Sequence, residues 1–181
     1  SSKRIPLVKK IIYYFFTNPV ELSSCPFLEG KNCLIYNQRF FGCRAYGLWS
    51  RKYYERFSEV SRRAKILVRN QWENLGVILP KEVMDFQLPY CRHVTVMDGQ
   101  VVNDGRLLDV SKKISRLSES FGQRDIMFRQ LYFSDMSFLL ASLVYGFHEA
   151  VRLKFTIVRD IVKTGNRTGL YNTVEEIADI F

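Results

Sequence analysis

The chain has few of the residues from which metal centres and disulfide frameworks are built. Only two histidines, His93 and His148, occur in 181 residues, and the four cysteines form no CxxC pair. Structural zinc normally takes paired ligands from tight knuckles, and disulfide frameworks are typical of short secreted chains. We therefore predict no metal and no cofactor, and we expect buried thiols that pack as small apolar groups. The alternative, a zinc site, would use Cys25, Cys33, Cys43, Cys91 and His93.

Catalytic patterns are equally scarce. No second histidine follows His148-Glu149 at the spacing of a zinc protease, and the glycine-containing loops lack a phosphate-binding pattern. Cys91 and His93 would point the same way from a strand, without a third group to orient them. We predict that the protein is not an enzyme. The alternative is an enzyme that uses Cys91 or His93.

Long apolar runs are also missing. The longest are Ile11–Phe16 and Phe138–Tyr145, far below the roughly 20 residues that a membrane-spanning helix needs. The start of the chain also lacks the pattern of a secretory signal peptide. These absences predict no transmembrane segment and a cytoplasmic location, which would be the host-cell cytoplasm if the protein is viral.

Positive charge is what the chain has in excess. Lysine and arginine number 27 against 18 acidic residues, so the net charge is +9 and the isoelectric point is near 9.5. Such an excess indicates the partner rather than the fold. The partners that it favours are RNA, DNA or an anionic membrane surface.

Helical periodicity dominates the rest of the sequence and predicts a mainly α fold with two helical subdomains, 1–91 and 106–181. Between them, residues 92–105 contain two Asp-Gly pairs beside β-branched residues. They predict a short β-hairpin near 92–104 or an extended linker. The predicted helices cover 6–17, 33–46, 50–75, 81–87, 110–121, 124–132, 135–163 and 173–181.

The helix predicted from Ser50 to Leu75 separates its side chains by chemistry. An apolar arc, which we expect to be buried, consists of Trp49, Tyr53, Phe57, Val60, Ala64, Leu67, Val68 and Leu75. A basic stripe on the opposite side consists of Arg51, Arg62, Lys65 and Arg69. The stripe runs roughly 27 Å, which suits a phosphate backbone. It equally suits an ordinary solvated helix face.

Two further helices repeat this arrangement. Gly76 and Gly165 follow the two longest predicted helices, where glycine commonly ends a helix. In the second of these, 135–163, we expect Leu143, Phe147 and Val151 to face inward. The cations opposite the apolar side are Lys112, Lys113 and Arg116 in the helix predicted over 110–121, and Arg152, Arg159 and Lys163 in the helix predicted over 135–163. Together with the basic stripe they make ten predicted nucleic-acid-binding residues.

The aromatic residues mostly occupy helical core or subunit-contact positions. Tyr54 and Trp72, at the edge of the apolar arc, are the rings that we expect to meet a partner. Recognition of a duplex by its shape and phosphates would require no stacking ring.

The sequence resembles the RNA-silencing suppressors of closteroviruses. The resemblance rests on RKYYERFSEVSRRAKILVRNQW, on FLLASLVYGFHEAVRLKFTIVRDIVK and on Trp49 in AYGLW, about half of the chain. It implies an all-helical protein that assembles into a ring with a positively charged inner surface. It also implies binding of RNA, including small duplex RNA, with little sequence preference. The ten candidate residues above come from helical geometry alone.

The preferred hypothesis is a non-enzymatic, homo-oligomeric protein that binds and sequesters RNA, with duplex RNA favoured over single strands. The alternative is a matrix-like or structural viral protein, whose basic face binds anionic lipid or a partner protein and whose aromatic residues bridge subunits.

Overall fold

The computed structural model describes residues 4–91, 102–122 and 136–180. These ranges are mainly α-helical, as predicted. The helices are α1 (Arg4–Thr17), α2 (Phe41–Ala45), α3 (Arg51–Asn74), α4 (Lys81–Asp85), α5 (Asp104–Gly122), α6 (Met136–Tyr145), α7 (Phe147–Thr164) and α8 (Thr168–Ala178). The strands are β1 (Leu28–Glu29) and β2 (Asn32–Cys33), and residues Tyr36–Gln38 form a 3₁₀ turn.

The one sheet in the described ranges is a short antiparallel hairpin that the sequence analysis did not predict. Leu28 pairs with Cys33, and Glu29 pairs with Asn32. Gly30 adopts a φ of 61° in the connecting loop, a conformation that glycine reaches without a Cβ clash. Residues 92–101 of the hairpin predicted near 92–104 lie outside the described residues. Residue 104, at the end of the predicted hairpin, is the first residue of α5.

The start of α3 and the carboxyl ends of α3 and α7 agree with the prediction. Ser50 caps the start of α3, since its hydroxyl accepts a hydrogen bond of 3.1 Å from the backbone N–H of Tyr53. Gly76 (φ 74°) and Gly165 (φ 70°) are left-handed residues that follow α3 and α7. Glycine therefore ends both helices for the expected reason.

Two helices begin six and five residues earlier than predicted, each just after an asparagine whose side chain accepts a backbone hydrogen bond. The Asn103 side-chain oxygen accepts a hydrogen bond from the N–H of Arg106, so α5 begins at Asp104 rather than after Asp109. Asn166 likewise accepts from the N–H of Thr168 and starts α8 there. The helix predicted to open at Thr173 was therefore assigned five residues too late.

The single helix predicted over 135–163 is two helices. Gly146 has φ 77° and ψ 159°, so it interrupts the chain between α6 and α7. This region of φ/ψ space is readily accessible only to glycine. The change of direction also alters which side chains face inward. Leu143 is 67% exposed and Val151 is exposed, both contrary to the prediction, whereas Phe147 is half-buried against Phe138.

The main core joins the first helix to the last three. α1 packs against α6, α7 and α8. The buried members of this core are Val8, Ile12, Phe15, Phe16, Ala141, Ala150, Ile157, Leu170, Val174 and Ile177. α1 belongs to the first predicted subdomain, 1–91, and its apolar side is buried by helices of the second, 106–181.

A second cluster attaches α4 and the end of α3 to α7. Val77, Leu79 and Met84 pack against the fully buried Val158 of α7. Trp72 stacks on Phe155 with ring centroids 5.7 Å apart. This cluster fixes the carboxyl end of α3 on the body of the protein. No helix among the described residues is long and apolar enough to cross a membrane.

Replacement of a core residue of α1 tests this arrangement. Phe16→Ala removes a fully buried ring from the core between α1 and the last helices. We expect it to lower the free energy of unfolding by about 3–5 kcal/mol. Leu143→Ala should cost less than about 0.5 kcal/mol, since Leu143 is exposed. Urea denaturation followed by circular dichroism measures both. Equal costs for the two variants would contradict the described packing.

Candidate nucleic-acid interface

The protein holds α3 by its polar side. None of its residues is buried, and the half-buried ones include Tyr54, Ser58, Ser61, Lys65 and Trp72. Their spacing of four, three, four and seven residues follows one side of a helix. This side contains Lys65 and Arg69, two residues of the basic stripe, and not the centre of the apolar arc.

Hydrogen bonds and an ion pair attach this side of α3 to α4 and the segment after it. The Tyr54 hydroxyl donates to the carbonyl oxygen of Leu88. Lys65 Nζ donates to the carbonyl oxygen of Phe86 and, at 3.3 Å, to that of Val83. An ammonium group at these carbonyls satisfies acceptors that the end of α4 leaves free. Lys65 therefore holds two elements together.

Arg69 has a similar structural role. Its guanidinium forms an ion pair of 3.1 Å with Asp85, the last residue of α4. The carboxyl-terminal half of the basic stripe therefore faces α4 rather than open solvent. The sequence does not indicate this role, because α4 is a five-residue helix whose position relative to α3 leaves no periodic signal.

The apolar arc of α3 is the exposed side, contrary to the prediction. Phe57, Val60, Leu67 and Leu75 are 61%, 59%, 65% and 60% exposed. The prediction assumed that an apolar helix face must be covered within the chain. Among the described residues no element lies over this face, because the contacts that fix α3 are on its polar side.

The amino-terminal cations of the basic stripe are paired with acids of the same helix. Arg51 forms an ion pair of 2.9 Å with Glu55, and Arg62 forms one of 2.9 Å with Glu59. Glu59 also pairs with Arg63 at 3.1 Å. Hydrogen bonds from Arg62 and Arg63 hold the pKa of Glu59 below its ordinary value. The stripe is therefore not a row of unpaired charge.

Two of the three predicted cations of α7 are also paired with acids of the same helix. Arg152 forms an ion pair with Glu149, and Arg159 forms one of 3.3 Å with Asp160. Lys163 is exposed and has no ion pair with any acid of the described ranges. Exposed pairs of this kind contribute little to stability, so phosphate can compete with their acids.

Unpaired cations concentrate on α5 and at the beginning of α3. Lys112, Lys113 and Arg116 are exposed, and none of them has an ion pair within the described part of the chain. Lys52 and Arg56, in the first two turns of α3, are exposed and equally unpaired there. The sequence analysis selected the three α5 residues but not Lys52 or Arg56, which lie outside its basic stripe.

A hydrogen-bonded junction joins the starts of α3 and α5. The Asp104 carboxylate accepts a bond of 2.8 Å from the backbone N–H of Ser50 and a second bond from its hydroxyl. Lys112 lies about 12 Å along α5 from this junction. We call five of the unpaired cations on these two helices the α3–α5 corner: Lys52, Arg56, Lys112, Lys113 and Arg116.

The rings at α3 are engaged with other parts of the protein. Trp49 and Tyr53 stack with centroids 4.1 Å apart and planes inclined by 14°. Trp72 stacks on Phe155, and Tyr54 contacts Tyr90 at 5.3 Å. Tyr54 and Trp72, which the sequence analysis assigned to a partner, therefore make contacts within the chain.

The cysteines are more exposed than predicted. Cys25 and Cys43 are exposed, and Cys33 and Cys91 are half-buried, so none is a buried apolar residue. All four are free thiols. Within the described ranges, no three acidic, cysteine or histidine side chains come together as metal ligands would. His93 lies outside these ranges.

A structural ion pair that the sequence analysis missed ties the segment after α1 to the start of α8. Arg167 donates to Glu21 at 2.9 Å and to the Tyr13 hydroxyl at 2.7 Å. Partial burial acts to raise the pKa of Glu21, but hydrogen bonds from Arg167 and Ser23 outweigh it and lower that pKa. Glu21 and Arg167 are 146 residues apart, so no local pattern announces the pair.

Comparison of the chain with protein-family models, curated proteins and solved structures finds no match. The resemblance to closterovirus suppressors therefore remains a hypothesis from the sequence.

The lowered pKa of Glu21 predicts a pH-dependent contribution to stability. The carboxylate stabilises the fold above its ordinary pKa of 4.5, and this contribution is lost as the pH falls through the lower folded value. We expect Glu21→Gln to cost about 1 kcal/mol at pH 7, and we expect this cost to shrink as the pH is lowered below 4.5. Urea denaturation at a series of acidic pH values measures the change. A cost that stays constant over the whole series would show that the ion pair is not its source.

Proposed function

We propose that the protein is a non-enzymatic RNA-binding protein that acts as an assembly of copies and binds duplex RNA with little sequence preference. The net charge of +9 gives it a long-range attraction to polyanions. The phosphate backbone is the part of RNA that such an attraction reads, and it is the same for every sequence.

The α3–α5 corner is the observation that carries this proposal. Each of its five cations is exposed and has no acid partner in the described residues. When such a side chain contacts a phosphate of the RNA, it displaces condensed counterions, and no ion pair of the protein has to break first. The paired cations Arg51, Arg62, Arg69, Arg152 and Arg159 add less, because phosphate must replace their carboxylates.

The mutual stacking of Trp49 and Tyr53, the two rings beside Lys52, favours duplex RNA over single strands at the start of α3. Single-strand binding without sequence preference depends on open rings on which bases stack. Trp49, Tyr53 and Trp72 each have a stacking partner within the protein. A duplex presents phosphates and 2′-hydroxyls, which cations recognise without stacking.

The resemblance to viral suppressors adds a biological role to this binding. A protein that covers small duplex RNA would keep it from the host silencing machinery. We place this activity in the host cytoplasm. The role rests on the resemblance, whereas the RNA binding rests on the charges described above.

Removal of the α5 charges tests the proposed surface. Lys112→Gln, Lys113→Gln and Arg116→Gln together should weaken binding of a short duplex RNA by about the same factor for every sequence. The slope of log affinity against log salt should fall by up to about 2.7, since each lost phosphate contact contributes about 0.9 for a B-form duplex. Gel shifts at several salt concentrations measure both quantities.

A second triple variant on α3 provides the control. Arg62→Gln, Lys65→Gln and Arg69→Gln remove the same charge but also remove the bonds that attach α3 to α4. We expect this variant to unfold at lower urea concentration, with a smaller change in the salt slope. Unchanged affinity and slope in the α5 variant would overturn the proposed surface.

An anionic membrane is the second candidate partner. The exposed apolar arc of α3 is bordered by Lys52, Arg56 and Arg63, which is the arrangement of a helix that lies at a lipid surface. On this alternative the protein is a matrix-like or structural protein. The same helix face would then enter the boundary between headgroups and acyl chains.

Flotation with lipid vesicles separates the two candidates. If RNA is the partner, vesicles with and without phosphatidylserine should leave most of the protein at the bottom of the gradient at physiological salt. Flotation with anionic vesicles only, combined with no gel shift on RNA, would support the membrane candidate instead.

A further inference from the structure

The exposed face of α3 has the spacing of a coiled-coil seam. Tyr53, Val60 and Leu67 are seven residues apart, and Phe57, Ala64 and Gln71 form the interleaved series. Alternation of four and three residues along both series is the heptad pattern of helices that pack along their length. We call these six residues the α3 seam. It extends about 27 Å along the helix.

The area of this face is sufficient for a specific contact. Phe57, Val60, Leu67, Val68 and Leu75 are 42% to 65% exposed, which corresponds to apolar surface on the order of 500 Å². Two such faces bury roughly 1,000 Å² in total, the minimum for a specific protein interface. A patch of this size lies in the upper part of the range for the largest apolar patch of a monomer, and such patches are often functional.

The two edges of the seam differ in charge. Arg56 and Arg63 lie on one edge, whereas Ser61, Val68 and Leu75 on the other edge are uncharged. In a parallel pair each edge lies against the opposite edge of the other helix, so the arginines face uncharged residues. In an antiparallel pair like edges meet, and Arg63 of both copies would be adjacent. Like charges at such positions are destabilising.

We propose that α3 pairs in parallel and in register with α3 of a second copy of this chain, through the α3 seam. The inference deepens the proposed function, because it locates the contact by which the RNA-binding copies assemble. A second copy contributes an identical apolar face of matching length, which can cover the seam. No acidic residue is needed opposite Arg56 and Arg63, because uncharged residues lie there in a parallel pair. The pair also places two α3–α5 corners in one assembly.

Light scattering of the purified protein without RNA tests the pairing. We expect the wild type to have at least twice the monomer mass, and Phe57→Ser with Leu67→Ser to be monomeric with unchanged helix content. Ile66→Ser is the matched control. Ile66 is 41% exposed on the side of α3 away from the seam, so this variant should assemble as the wild type does.

Disulfide trapping tests the orientation. Gln71→Cys, in a background with the four native cysteines replaced by serine, should form a cross-linked dimer under mild oxidation. A parallel pair places the two thiols together, whereas an antiparallel pair centred on the seam separates them by about 27 Å, beyond disulfide reach. Glu73→Cys, on the outer side of α3, should not cross-link.

The outcomes distinguish this inference from the proposed function. A wild-type protein that is monomeric from micromolar to near-millimolar concentration overturns the inference, and a gel shift with that monomer leaves RNA binding in place. Flotation of this monomer with anionic vesicles would assign the seam to lipid. A dimer that cross-links at Glu73→Cys but not at Gln71→Cys also overturns the inference. Loss of RNA binding with an intact dimer contradicts the proposed function alone.

Discussion

The attachment of α3 through its polar side determines what this protein presents to partners. Lys65 supplies an ammonium group to the carbonyl oxygens at the end of α4, and Arg69 pairs with Asp85. These bonds, and the hydrogen bond from Tyr54 to the carbonyl oxygen of Leu88, are made by the polar face of α3, which an amphipathic pattern would place in solvent. As a result, two features of the surface have one cause. Two of the four cations of the basic stripe are held at α4, and the apolar arc becomes available to another molecule.

The electrostatics of the surface follow the same division between structural and available charge. Pairs such as Arg62 with Glu59 and Arg152 with Glu149 are local, exposed and individually weak. The pair of Glu21 with Arg167 is more enclosed and joins distant segments. The cations of the α3–α5 corner belong to neither group. They are exposed and have no ion pair within the described residues, so on the proposed function they can meet phosphate directly, and the α3 seam would bring two sets of them together.

The sequence predicted local features well and long-range ones poorly. Helical periodicity and the glycines at 76 and 165 correctly indicated a mainly α chain and two helix ends, because both depend on neighbouring residues. Gly146 was assigned to a helix interior, since periodicity continues across it. The packing of α1 with the last helices left no local trace. The burial of Phe57 was predicted wrongly, because an amphipathic pattern shows that a face needs a partner without showing whether the same chain supplies it.

Contacts between side chains across α3 and α4 test the central claim most directly. Nuclear Overhauser effects in a dilute sample report which side of α3 faces α4, independently of RNA and of assembly. The account predicts cross-peaks from the Lys65 methylenes to the Phe86 ring and from the Tyr54 ring to Leu88. Cross-peaks from Phe57 or Leu67 to these same residues, in place of those from Lys65 and Tyr54, would show that the apolar arc faces inward and would contradict the account.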